Sequence, residues 1–211
     1  MRFWILLLGL APGCARTPAE AQDANFWPTL DATLYRKGGL RATYFGQLRF
    51  DDTQVAPAQF MTGPVLRYDG SKHSHITAGY YYRRGERADF EWAQHRWFGS
   101  FEYDFVERER WRFRARTMVE RFVGGTRPDF TRYRERLLVE SRGSRSMYGS
   151  AEWMLDRHGL QVLRVGGGIR VRTSDQMEVD VFYGVDRRRD PVRRNIHLVI
   201  TTFRVGGFTR N

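Results

Sequence analysis

The chain has 211 residues, enough for one sizeable domain, with 15% aromatic and 28% charged residues. Its 35 basic against 24 acidic residues give a formal charge of +11. No apolar run reaches the roughly 20 residues that a membrane helix requires, which excludes a helical membrane protein but not a transmembrane barrel, whose strands show only alternate residues to lipid.

The N-terminus has the order of an export signal: Arg2, an apolar run from Phe3 to Ala11, then small and polar residues ending at Ala19, Glu20 and Ala21. Cleavage is expected after Ala21. Arg2, Arg16 and Glu20 leave with residues 1–21, so the remaining 22–211, read as a single β-barrel domain, carry +10. Leu10 to Cys14 also resembles a lipoprotein box, in which the cysteine becomes the lipidated first residue, although Ala11 and Pro12 depart from that pattern. Either route takes the chain out of the cytoplasm, and a lone cysteine permits no disulfide within it.

Turn residues divide the rest into strand segments at 28–36, 40–50, 60–68, 74–84, 94–105, 110–122, 131–141, 147–155, 160–172, 176–186 and 194–205. That is eleven segments. Bacterial single-chain barrels have an even count, and Pro28 and Pro64 interrupt the first and third segments. The expected fold is therefore an all-β, antiparallel transmembrane β-barrel of 10 or 12 strands, its first segment standing apart from the wall. Connections alternate between short turns and longer loops, the latter near 51–59, 85–93, 123–130 and 187–193, with the 156–159 connection as the exception.

Parity assigns the faces. In the second strand Leu40, Ala42, Tyr44, Gly46, Leu48 and Phe50 share a lipid-facing side opposite Arg41, Thr43, Phe45, Gln47 and Arg49. Trp27, Tyr68, Trp97, Trp111 and Tyr133, near strand ends, are candidates for interfacial girdles. The stretches 110–116 and 132–139 alternate arginine with bulky apolar residues, and a register in which residue numbers sum to about 252 would set Glu120 against Arg132, Arg112 against Glu140 and Arg116 against Arg136.

Arginines facing inward need carboxylate partners, because an isolated buried cation is prohibitive. The expected lumen network comprises Arg112, Arg114, Arg116, Glu120, Arg132, Arg134, Arg136, Glu140, Arg164, Arg170, Glu178 and Asp180, with Glu102 and Glu152 as further acids. Such a network holds a small barrel shut, or attracts a small anionic ligand. No catalytic residue is assigned. His197, with Asn195 and Thr201 on its face, is the one histidine singled out for function; Ser100 and Ser150 carry no sign of a nucleophile. His73 and His75 lack a third ligand, so no metal is expected, nor any cofactor. Gly166 to Gly168 falls inside a strand, which argues against a phosphate-cradling loop.

Several motifs carry a resemblance to a known family: Phe26 and Trp27, Arg49 and Phe50, Gly79 to Arg83, His95 and Arg96, Arg112 to Arg116, Glu120 to Phe122, Arg132 to Arg136, and Asn195 to His197. In their order the chain resembles DUF2490, a bacterial family of unknown function regarded as outer-membrane β-barrels. The resemblance implies an outer-membrane location, with the periplasm as runner-up, and implies no reaction. Implied partners are outer-membrane lipid and the barrel-insertion machinery; the export signal and the spread of arginines along the chain argue against nucleic acid. One departure is the tail beyond Phe203, where Phe208 stands in for the usual terminal aromatic. The readings carried forward are a non-enzymatic barrel serving envelope integrity or the binding or passage of a small anion, an outer-membrane enzyme modifying lipid or lipopolysaccharide, and a soluble periplasmic β-protein that binds an anionic partner.

Overall fold

The computed structural model describes residues 23–51, 57–87, 90–126, 128–143, 145–189 and 195–206. The export signal, Cys14 and Phe208 lie outside the described residues. Eleven strands follow in order: β1 (Asp23–Lys37), β2 (Leu40–Arg49), β3 (Gln59–Asp69), β4 (Ser74–Arg87), β5 (Phe90–Glu107), β6 (Trp111–Val123), β7 (Phe130–Ser141), β8 (Arg145–Asp156), β9 (Gly159–Ser174), β10 (Met177–Arg188) and β11 (Asn195–Val205).

Each strand pairs antiparallel with its sequence neighbours, and β1 pairs in parallel with β11, from Asp23 opposite Ile196 to Ala32 opposite Val205, closing the barrel. An up-and-down sheet with an odd number of strands brings its ends together pointing the same way, so the closing ladder has to be parallel. The expected 10 or 12 strands are thus corrected to eleven, and β1 is part of the wall.

Both prolines fit because each occupies a gap in one of its two ladders. Pro28 lies between the Phe26–Phe50 bridge, where Phe26 N–H donates to Phe50 O at 3.1 Å, and the start of the β1–β2 ladder at Thr29 opposite Gln47. Pro64 keeps its place opposite Tyr44, while the β3–β4 ladder skips from Thr62 opposite Tyr82 to Val65 opposite Gly79. A residue without an N–H is tolerated where one neighbour asks for none.

The connections at 38–39, 70–73, 108–110, 142–144 and 175–176 gather at one end, called here the turn end. At the first of these, Gly38 and Gly39 both take positive φ (58° and 81°), which a two-residue hairpin turn of the primed type requires. The opposite, loop end carries the connections 50–58, 88–89, 124–129, 157–158 and 189–194. The long loop expected at 85–93 shrinks to two residues because β4 and β5 extend toward each other.

Strand alternation sends the two residue classes to opposite sides. Among the described residues, twenty-nine large apolar side chains are exposed and twelve are buried, whereas fourteen polar or charged residues are buried. Globular proteins in water show the reverse, with charged residues almost never fully buried. The outer wall is apolar and the interior mixed. Inside, Met61, Tyr81, Phe98 and Met118 form one small apolar cluster, and Trp27, Ile196 and Leu198 another. Tyr68, Trp97, Trp111 and Tyr133 stand exposed on the outer wall, but Trp27 does not, being 5% exposed on the same inward parity as Thr29. Gly166 and Gly168 make room for interior rings: a Cβ at Gly166 would lie 2.6 Å from the Phe182 ring, and one at Gly168 2.6 Å from Tyr148 Oη.

Candidate functional site

The β6–β7 hairpin sets the interior chemistry. It pairs residues whose numbers sum to 252, with Arg112 opposite Glu140, Arg116 opposite Arg136 and Glu120 opposite Arg132. Glu120, fully buried, accepts hydrogen bonds from Arg96, Arg132 and, at 3.0 Å, Arg134 Nη1. Arg134 turns its other nitrogen to Glu152 Oε2 at 2.7 Å, and Glu152 also holds Arg116 and stands 3.7 Å from Arg164. Arg164 in turn forks onto Asp186 at 2.6 and 3.0 Å. An ionic chain thus runs from β5 to β10 through Arg96, Glu120, Arg134, Glu152, Arg164 and Asp186. Planar guanidinium suits it, because each fork reaches two acceptors at once.

A second set lies toward the turn end. Arg114 forks onto Asp104 at 2.6 and 3.2 Å and stands 3.3 Å from Glu102, which Arg136 approaches to 3.9 Å. Arg112 donates to Glu140 at 2.5 Å, and Arg170 links Glu140 to Asp180. Arg204 bonds Glu178 at 2.6 Å and Asp180 at 3.1 Å, and the Tyr148 hydroxyl donates to Asp180 at 2.6 Å. Charges so far from water persist only as mutually bonded sets, since removing one partner from a buried pair costs about 3–5 kcal/mol.

A family model described as "Protein of unknown function (DUF2490)" matches residues 24–196, from the first strand to the start of the last. The chain belongs to the DUF2490 family. Neither the curated proteins nor the solved structures yield a match.

In this DUF2490 barrel the ionic chain lies between two cavities. One, of 440 Å³ toward the loop end, is lined by seven arginines and three carboxylates with Trp27 and Trp92; the other, of 520 Å³, opens toward the turn end. Arg134 and Arg164 line both, so their side chains form the partition. Every residue expected in the lumen network faces this interior. Strand parity already puts Arg49 on the inward face, but sequence reading missed Trp27, Arg96, Asp104 and Arg204 as interior groups. For Trp27 the signal was its shared parity with Asn25, Thr29 and Asp31, outweighed by its place near a strand end.

His197, the histidine singled out for function, lies elsewhere, whereas His75 is buried with its Nε2 3.9 Å from Asp104. His197 shares the outer wall with Tyr183, 2.6 Å from Nδ1 to hydroxyl, and so lies across the wall from Ser150, which lines the turn-end cavity. His75 is held 2.7 Å from Asp69, and His73 stands 3.6 Å from Glu107. Among the described residues no group of three candidate ligands could hold a metal ion.

Proposed function

We propose that this protein is an outer-membrane β-barrel that binds a small anion in an arginine-rich lumen and carries out no reaction there. The observation that carries this reading is the inverted wall: large apolar side chains circle the outside while arginines and carboxylates fill the inside. Only closed barrels and helices satisfy every backbone group in lipid, and a barrel facing lipid needs this alternation. An N-terminus with the order of an export signal supports the same location. Binding is favoured over passage because the ionic chain crosses the interior between the two cavities, leaving each a chamber with its own mouth.

The reading predicts that the protein sediments with outer membranes, comes into solution only with detergent, and gives no steady conductance in a planar bilayer. Release by osmotic shock without detergent would instead identify a soluble periplasmic β-protein, and a steady ion current would replace binding by passage.

A further inference from the structure

Arg49 differs from the arginines of the ionic chain in what it touches. Its Nε donates to a neutral acceptor, Gln47 Oε1, at 2.8 Å, and its guanidinium lies 4.1 Å from the centre of the Trp27 ring. Among the described residues no carboxylate stands within ion-pair distance of it. The charges bearing on it are like charges, from Arg83, Arg96, Arg164 and Arg132. Trp27, which also lines the loop-end chamber, has an indole N–H with no hydrogen-bond partner among the described residues. A half-buried cation with no counter-charge and a buried orphan donor are both costly unless an acceptor meets them.

The surroundings narrow the class of acceptor. Guanidinium groups cover the indole faces, Arg49 over Trp27 and Arg83 over Trp92 at 5.1 Å, so those rings offer no open platform for a stacking ligand. Of the seven arginines that line the chamber, Arg96, Arg132, Arg134 and Arg164 are held by Glu120, Glu152 and Asp186, whereas Arg49 and Trp27 turn to the chamber N–H donors that no carboxylate among the described residues meets. A carboxylate brings one charge and one planar face. A phosphate monoester brings a charge of about −1.5 to −2 and three acceptor oxygens, which matches converging donors better. We propose that the loop-end chamber is a binding site for a phosphate monoester, with Arg49 as its principal cation and the Trp27 N–H as a second donor. The assignment rests on the closed-barrel reading and names the ligand class of that interior. Its 440 Å³ admits a phosphorylated sugar as readily as a bare phosphate headgroup.

Calorimetric titration of the full chain in detergent, with each sample's barrel checked by its gel shift on boiling, tests this. The probes are glucose 6-phosphate, micelles doped with phosphatidic acid, and glucuronate as a monocarboxylate comparator. Binding of the sugar phosphate identifies a free ligand, and binding of the doped micelles alone identifies a lipid headgroup; either sustains the assignment. Arg49→Gln is expected to weaken binding by at least about tenfold, the loss of one charge-assisted hydrogen bond, with the gel shift retained. Arg121→Gln, on the outer wall with an equal change of charge, should bind as the parent does. A barrel that shifts on boiling yet binds neither phosphate probe, binds glucuronate as tightly, or is indifferent to Arg49→Gln overturns the phosphate site and leaves the barrel reading standing. Absence of the shift in the parent chain removes both.

Discussion

Leu137 sits near the middle of β7 on the outer wall, 49% exposed, in a row with no contact to the interior. If that row faces lipid, Leu137→Arg places a cation near the bilayer midplane and costs about 2–4 kcal/mol, read from urea titration in lipid vesicles; a row facing water would leave the midpoint almost unmoved. Glu135, two residues away on the same outer face, sets a charge beside this apolar row, its carboxylate accepting a hydrogen bond from Thr117 at 2.7 Å. Glu135→Leu is expected to raise the unfolding midpoint in the same titration, because the pair gives up a charge that lipid disfavours. Inside, the sign reverses. Glu120→Ala takes the carboxylate from Arg96 and Arg132 and leaves Arg134 with Glu152 alone, and should destabilise by about 3–5 kcal/mol. Much of this was legible in the sequence, since a strict period of two leaves arginine a single side and fixes the β6–β7 register through its two opposite-charge pairs. The inward face of Arg49 was legible too, but its missing acid and the burial of Trp27 beneath it were not, because these are contacts across strands that no local spacing records.

At the scale of elements, turn chemistry located all eleven strands, and the count went astray only when parity was imposed on it. Pro28 and Pro64 looked like interruptions because sequence does not reveal which of a residue's two ladders is left open. The parallel β1–β11 seam is the consequence. Leu30 and Phe203 are partners across it, both exposed on the outer wall, and neighbouring strands lie within the reach of a disulfide. With Cys14→Ser in the background, Leu30→Cys combined with Phe203→Cys should cross-link on mild oxidation and alter mobility on a denaturing, non-reducing gel. Failure to cross-link would put β1 outside the wall.

The whole molecule is a closed shell, apolar on its outer wall and charged within. Arginines and acids meet within, where the ionic chain from Arg96 to Asp186 braces strands β5 to β10 against one another and divides the interior. Arg134 belongs to both chambers, so Arg134→Ala should merge them and introduce current in a planar bilayer where the parent chain passes none. A silent Arg134→Ala barrel would mean that other side chains close the lumen. The central claim, a closed barrel that lives in a membrane, is most directly tested by extracting outer membranes with detergent and running boiled and unboiled samples on a denaturing gel. The expected result is a band in the membrane extract that migrates differently before and after boiling, as a closed barrel resists the detergent until heated. A protein recovered without detergent, running at one position in both lanes, would contradict it.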